Sequence, residues 1–251
     1  MPANFTVMTY NVHSSIGMDR KISPRRIARI ISRFRPDVVA LQELDMGLRR
    51  TKMIDQAHFI AERLCMEYHF QSCMQVEDGG YGNAILSSLP MRLVKGGALP
   101  LHPHYNNKEP RGAVWVEVQA GGEPVQVVAT HFGLNWQERI FQAETILGPE
   151  WLGHSECRTP VVLCGDLNAM PRSAAYRRLA RSLHDVQRVV KGKRPQPTWP
   201  VLFPFLRIDH MFVSSDLAVE DVLVPRTPLT TVASDHLPMI VTISLRQQVT
   251  E

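Results

Sequence analysis

Apolar positions along the chain follow two periods. Short, nearly continuous apolar runs at Phe5 to Val12, Asp37 to Glu43 and Pro160 to Cys164 predict buried strands. Ile27, Ile30, Ile31 and Phe34 instead recur at i, i+3, i+4 and i+7 behind Ser23-Pro24, which supplies an N-cap and a first-turn proline. That pattern predicts an amphipathic helix stopped near Pro36. Ala57, Ile60, Ala61 and Leu64 repeat the helical spacing. Strands are then expected over Gly82 to Ser88, Met91 to Leu99, Ala113 to Val118 and Val125 to His131, with turns at Pro90 and Gly121-Gly122. Helices follow at about Asn135 to Leu147 and Ser173 to Arg181, and strands at Arg207 to Val213 and Pro238 to Leu245 close the chain. Two halves rich in strands and helices predict two sheets packed face to face under helices. No sequence repeat or compositional linker divides them, so residues 1–251 are expected to form a single domain.

Composition narrows the class. The 251 residues are 44% hydrophobic and 21% charged, as in ordinary globular proteins, and no apolar run has the length of a membrane span. Met1-Pro2-Ala3-Asn4 opens without a basic or apolar leader, and Cys65, Cys73, Cys157 and Cys164 show no CxxC spacing. A cytoplasmic monomer with reduced, buried thiols is expected. The net charge of +4 permits an anionic substrate without requiring one. Arg25-Arg26 with Arg29 and Arg33, and Arg177-Arg178 with Arg181, fall on predicted helices and read as solvated faces. The clusters at Arg49 to Lys52 and Lys191 to Arg194 lie in loops and are better candidates for phosphate contacts.

Polar residues gather where the predicted strands end. Gly165-Asp166-Leu167-Asn168 follows a buried strand, and alternation is expected to place Asp166 and Asn168 on one side. Asn11, Glu43 and His131 stand at other strand ends, Asp209 at a strand start, and Asp235-His236 just before the last strand. If the late strands run antiparallel to the earlier ones, all of these side chains reach one edge. Each also has a plainer reading: Asn11 as a turn cap, Glu43 as a surface ion-pair partner, His131 as a core histidine. Asp209, flanked by Ile208 and Met211, is harder to dismiss, because a buried carboxylate is costly unless paired. So many coincidences at strand ends favour a site.

The residue types point to phosphoryl chemistry. Glu43 and Asn11 offer hard oxygens suited to Mg²⁺ or Mn²⁺. Asp209 near a histidine is a candidate to orient it, Asp166 to position or deprotonate a water, and Asn168 to donate to a phosphoryl oxygen. Neither GxSxG nor GxxxxGK[ST] occurs, which argues against a serine hydrolase or a P-loop NTPase.

The order of motifs resembles the endonuclease/exonuclease/phosphatase superfamily: Thr9-Tyr10-Asn11, Leu41-Gln42-Glu43, Gly82 to Ser87, Pro110-Arg111-Gly112-Ala113, Thr130-His131, Gly165 to Asn168, Arg207-Ile208-Asp209-His210 and Ser234 to Pro238. The resemblance implies a DNase I-like four-layer α/β sandwich, with two packed central mixed β-sheets flanked by helices. It also implies a Mg²⁺-dependent phosphodiesterase of nuclease type, with phospholipid or phosphoinositide hydrolysis as the alternative and a non-catalytic phosphate-binding module as the least favoured. Carried over, Glu43 resembles the main metal ligand, with Asn11 close by and Asp235 joining the metal shell. His236, oriented by Asp209, resembles the general base or the imidazolium that stabilises the transition state; His131 resembles the second histidine, and Asp166 and Asn168 the water- and phosphate-handling pair.

The substrate-facing residues follow the pattern less closely. Tyr81-Gly82-Asn83 stands where nucleases place an acidic partner for a histidine or a phosphate-touching tyrosine, so Tyr81 and Asn83 are candidates for substrate contact. Arg111 is the best cationic phosphate ligand, because its fork matches phosphoryl oxygens, and His13 is expected to face the cleft. The partner is a phosphodiester substrate, either nucleic acid or a phospholipid head group. Trp115 and Trp136 sit in periodic segments and are expected to be structural. The run Val201 to Leu206 is expected to be a buried approach to the strand at Asp209; if exposed, it suits a lipid interface.

Overall fold

The computed structural model describes residues 4–76, 79–102 and 109–246. One six-stranded sheet runs in the order β11 (Leu217–Leu223), β12 (Met239–Leu245), β1 (Asn4–Asn11), β2 (Val38–Met46), β4 (Gly79–Ser87), β3 (Glu67–Val76). The other runs β5 (Met91–Ala98), β6 (Gly112–Ala120), β7 (Glu123–His131), β8 (Val161–Asp166), β10 (Asp209–Val213), β9 (His184–Asp185). Each sheet holds a central parallel pair, β1 with β2 and β7 with β8, flanked on both sides by antiparallel strands. The two sheets therefore have the same strand pattern although no repeat is visible in the sequence.

Strict alternation explains why the central strands read as unbroken apolar runs. In β1, Phe5 and Val7 pack between the sheets while Met8 and Tyr10 face helices; in β8, Val162 and Cys164 face the other sheet while Leu163 faces helices. Both faces are buried, as parallel pairs require. Helix α1 (Pro24–Phe34) covers the first sheet with Ile27, Ile30 and Ile31, joined by α2 (Gln56–Leu64) with Ala57 and Ile60. Helix α3 (Trp136–Leu147) and α4 (Ala174–Ser182) cover the second with Ala143, Ile146, Tyr176 and Leu179. Each fully buried isoleucine or leucine among them contributes roughly 1.5–3 kcal/mol. The result is the expected four-layer α/β sandwich, with helices outside and two mixed sheets inside.

Several local expectations change. Strand β3 was absent from the apolar pattern because it is an edge strand, half-buried along most of its length and without a clean alternation. Strands β9 and β11 are also edge strands that the pattern missed. Ser23 precedes α1, but its hydroxyl makes no capping bond; the helix start rests on Pro24, and Arg35 closes it in the left-handed region with its N–H on the Ile31 carbonyl. Trp115 is buried as expected, whereas Trp136 is 60% exposed. Cys164 is buried but Cys65 is exposed. The run from Val201 is not a buried approach: Val201 is buried, but Phe203 is 81% and Phe205 69% exposed on a tip closed by the Trp199 and Leu206 bridge.

Candidate active site

The same alternation that fills the inter-sheet core builds the site. Asn11 continues the series Phe5, Val7; His131 continues Val125, Val127, Ala129; Asp166 continues Val162, Cys164; and Asp209 begins the series Met211, Val213. Polar residues thus take over the inward face at one edge of the sandwich. The late strands run antiparallel as required, with Asp209 directly opposite Asp166, and β12 antiparallel to β1.

Glu43 reaches this edge by another route. It does not end its strand, which continues to Met46; it lies in a β-bulge between Leu41 and Leu44, with φ 59°. Leu41 and Leu44 both pack under the helices, so simple alternation cannot serve both, and the inserted residue turns the Glu43 carboxylate toward Asn11. Behind the bulge, Asp45 is fully buried and held by Arg50 at 2.7 and 2.8 Å, Thr51 at 2.9 Å and Ser14 at 3.0 Å. Arg50 also lies over the Tyr81 ring, 5.3 Å from its centroid. This bracket pins the two turns beside Glu43 and spends Arg50 structurally; Lys193, in the other loop cluster, pairs with Asp221.

Asp166 is the hub. Its Oδ2 accepts from Asn11 Nδ2 at 2.9 Å and lies 3.5 Å from His131 Nε2 and 3.7 Å from His236 Nε2. Its Oδ1 accepts the Asn168 N–H at 2.9 Å. Asn168 has φ 47°, so a turn rather than pleat alternation brings the two side chains together. The Asn168 amide donates to the Phe132 carbonyl at 2.9 Å and touches His131 Nε2 at 3.1 Å. Gly165 makes the approach feasible: its φ is 145°, and a Cβ there would stand 1.8 Å from the Thr130 carbonyl oxygen.

The two histidines have opposite settings. His236 Nδ1 donates to Asp209 Oδ2 at 2.9 Å, and the same oxygen accepts from the Thr198 hydroxyl. Burial works against the His236 cation, but the charges of Asp209 and Asp166 prevail and push its pKa up to about 10. His131 is buried and faces Arg111 Nη1 at 3.0 Å; because a guanidinium only donates, Nδ1 must accept. Burial, with Arg111 adding to it, holds His131 neutral, well below the usual histidine range. Burial, and after it the Asp209 charge, push Asp166 up to about 7 against the opposing pull of His236 and of the hydrogen bonds from Asn168 and Asn11. Glu43 moves the other way: burial would raise it, but the His13 contact and the Asn11 amide hold it below the ordinary carboxylate range.

The remaining sequence candidates divide. His13 is half-exposed, with Nδ1 3.5 Å from Glu43 and 3.8 Å from Asp235, and so stands between those carboxylates. Arg111 is buried behind His131 and also pairs with Glu109 at 3.1 Å, leaving its Nε without a partner. Tyr81 is buried near Glu43 and Arg111. The Asn83 amide is spent between the sheets on the Gly112 carbonyl at 2.9 Å. Thr198 and Trp199 had drawn no expectation as site residues, yet the Trp199 indole donates to Asp235 at 3.1 Å. Ser234, also missed, ties the Asp235 turn to the Asn11 carbonyl at 2.8 Å.

The donor set suits a divalent cation. Ligand atoms of Glu43, His131 and Asp166 lie within 4.8 Å of one another, with the Asn11 carboxamide alongside; because His131 Nδ1 accepts from Arg111, its Nε2 carries the hydrogen, and the oxygens of Glu43, Asp166 and Asn11 are the donors. Such oxygen-rich sites favour Mg²⁺ or Mn²⁺. A second cluster of Asp166, Asp209 and His236 is equally tight, but there Asp209 and Asp166 hold His236 protonated, which leaves its ring no lone pair for an ion.

Comparison with known proteins matches this architecture. YbhP of Escherichia coli (strain K12), itself uncharacterized, is 26% identical over 261 residues, which span 96% of this chain and 97% of that protein. The crystal structure of an endonuclease/exonuclease/phosphatase from Beutenbergia cavernae superposes with a TM-score of 0.79 at 25% identity, covering 97% of this chain and 72% of that one. A mannosyl-6-phosphatase from Bacteroides thetaiotaomicron superposes at 0.76 and 20% identity, covering 96% of this chain and 100% of its own. The sequence model of the Endonuclease/Exonuclease/phosphatase family matches residues 8–236, and the chain belongs to that family.

Proposed function

We propose that the chain is a divalent-metal-dependent hydrolase that cleaves a phosphodiester by attack of water. The observation that carries this reading is the Asp166 carboxylate, set between two imidazoles at 3.5 and 3.7 Å, one of them backed by Asp209. Glu43, with Asn11 beside it and Asp235 beyond His13, would hold Mg²⁺ or Mn²⁺; the ion, when bound, supplies Lewis-acid stabilisation of the phosphoryl charge. Asp166 orients the attacking water and takes its proton. His236, held by Asp209 with Nε2 toward Asp166, meets the charge that develops on the phosphoryl oxygens, while the Asn168 amide and His131 fix the opposite side. His13, half-exposed between Glu43 and Asp235, is placed to meet an incoming phosphate. Arg111 acts behind His131 by fixing its tautomer, a role the buried geometry favours over direct grip on phosphate. Tyr81, buried beside Glu43 and Arg111, lines the same wall.

Hydrolysis of bis-p-nitrophenyl phosphate with added Mg²⁺ tests this. Metal-dependent turnover is expected, lost in Asp166→Asn and in His236→Ala; turnover without metal, or retained by both variants, overturns it. Both nucleic acid and phospholipid head groups carry the required diester, and the rim of the site favours the second.

A further inference from the structure

Six of the thirteen exposed large hydrophobic side chains among the described residues sit at this edge, on three loops and the first residue of α3. Leu134, 70% exposed, and Trp136, 60%, follow His131; Met170, 51%, follows Asn168; Leu202, Phe203 and Phe205 form the tip that precedes Asp209. The strands that carry these loops, β7, β8 and β10, are neighbours in one sheet. The loops therefore form one apolar rim on one side of the catalytic edge, where isolated exposed residues would need no explanation but a cluster does.

Cations stand at the bases of these tips. Arg139 donates to the Leu134 carbonyl at 2.6 Å, Arg226 donates to the Leu202 carbonyl at 2.5 Å, and exposed Arg172 follows Met170 by two residues. Exposed apolar tips with guanidinium groups at their bases match an interface in which acyl chains lie beyond a layer of phosphates. Single-stranded nucleic acid would ask for aromatic platforms; Trp136, Phe203 and Phe205 offer π-faces, but Leu134, Met170 and Leu202, the other half of the rim, have none on which a base can stack.

The tip is also fastened to the chemistry. Its stem residue Thr198 donates to Asp209, Trp199 donates to Asp235, and the Val201 N–H reaches the Asp235 carbonyl at 2.8 Å. Whatever holds the tip is thereby brought next to Asp209 and Asp235. We propose that the rim formed by Leu134, Trp136, Met170, Leu202, Phe203 and Phe205 docks the protein on a phospholipid surface and presents the head-group phosphodiester to the site. This inference rests on the hydrolase reading for its substrate, but the docking step stands or falls separately.

The test compares the full chain with a Phe203→Ser/Phe205→Ser variant in two assays. In co-sedimentation with vesicles of phosphatidylcholine containing a minority of phosphatidylglycerol, the parent is expected to bind and the variant to bind at least about tenfold more weakly. Turnover of soluble bis-p-nitrophenyl phosphate is expected to be equal in the two, which also shows that the variant folds. Absence of vesicle binding by the parent, or equal binding by the variant, overturns the proposal. So does tight binding of an oligothymidylate that is lost in the variant, since it would assign the rim to nucleic acid. Vesicle binding without soluble turnover would leave the docking surface standing and remove the hydrolase reading.

Discussion

His236 Nδ1 lies 2.9 Å from Asp209 Oδ2, and that bond turns Nε2 toward Asp166. In the proposed mechanism Asp209 acts only through the imidazole, so its loss should act through His236. Asp209→Asn is expected to lower kcat about 10²–10⁴-fold with little change in KM. Combining it with His236→Ala should cost no more than His236→Ala alone, because the pair works as a unit. Steady-state kinetics of the three variants on a soluble diester, with thermal unfolding as a check of folding, would settle this; additive losses would separate the two roles.

Glu43 should govern metal affinity rather than the protein's fold, because its bulge is braced from behind by Asp45 and Arg50. In Glu43→Gln, titration of the chelator-stripped protein with Mg²⁺ is expected to show half-activation at a concentration at least about tenfold higher. Calorimetric titration with Mn²⁺ gives the same comparison without turnover.

Gly165 makes a conformational demand that no other residue type meets cheaply. Gly165→Ala adds a Cβ 1.8 Å from the Thr130 carbonyl oxygen at a φ of 145°. Because β8 must move away from β7, the variant should lose about 1–3 kcal/mol or more. Urea denaturation measures the loss, and a parent-like midpoint would contradict it.

His210 sets an acid limit on stability. It is fully buried between Tyr176 and Phe212, donates to the Ala169 carbonyl at 2.7 Å and leaves Nδ1 unpartnered. Burial, opposed by Asp185 but aided by Arg207, holds its pKa below the ordinary 6.5. The folded state therefore binds the proton less readily than the unfolded chain. The histidine's contribution is intact above pH 6.5 and falls as pH drops from there toward the folded pKa. His210→Phe is expected to flatten this part of the curve of stability against pH, measured by denaturant unfolding at several pH values, while losing some stability at neutral pH from the stranded Ala169 carbonyl.

The two sheets share one strand pattern, and the site joins strands that face one another across the sandwich. Asn11 ends β1 and bonds Asp166, which ends β8; Glu43 of β2 faces His131 of β7 at 3.9 Å; His236, before β12, bonds Asp209, which starts β10. The polar residues at strand ends come together at one edge because alternation along a doubly buried strand is a local property that the sequence carries. Alternation falls short at Glu43 and Asn168, where a bulge and a left-handed turn replace the pleat. The Val201 to Leu206 run was misread for a related reason: hydrophobicity says how costly exposure is, not whether some later partner offsets that cost.

The chain by itself determined the strands and helices of the sandwich core and the polar residues that end its central strands, because periodicity and turn chemistry act between near neighbours. Only the tertiary structure decided that Asp166 faces both histidines, that Asp45 and Thr198 brace the site from behind, and that an apolar rim stands exposed at its mouth. Those relations join residues far apart in sequence, and they exist only where the packing of two sheets brings their edges together.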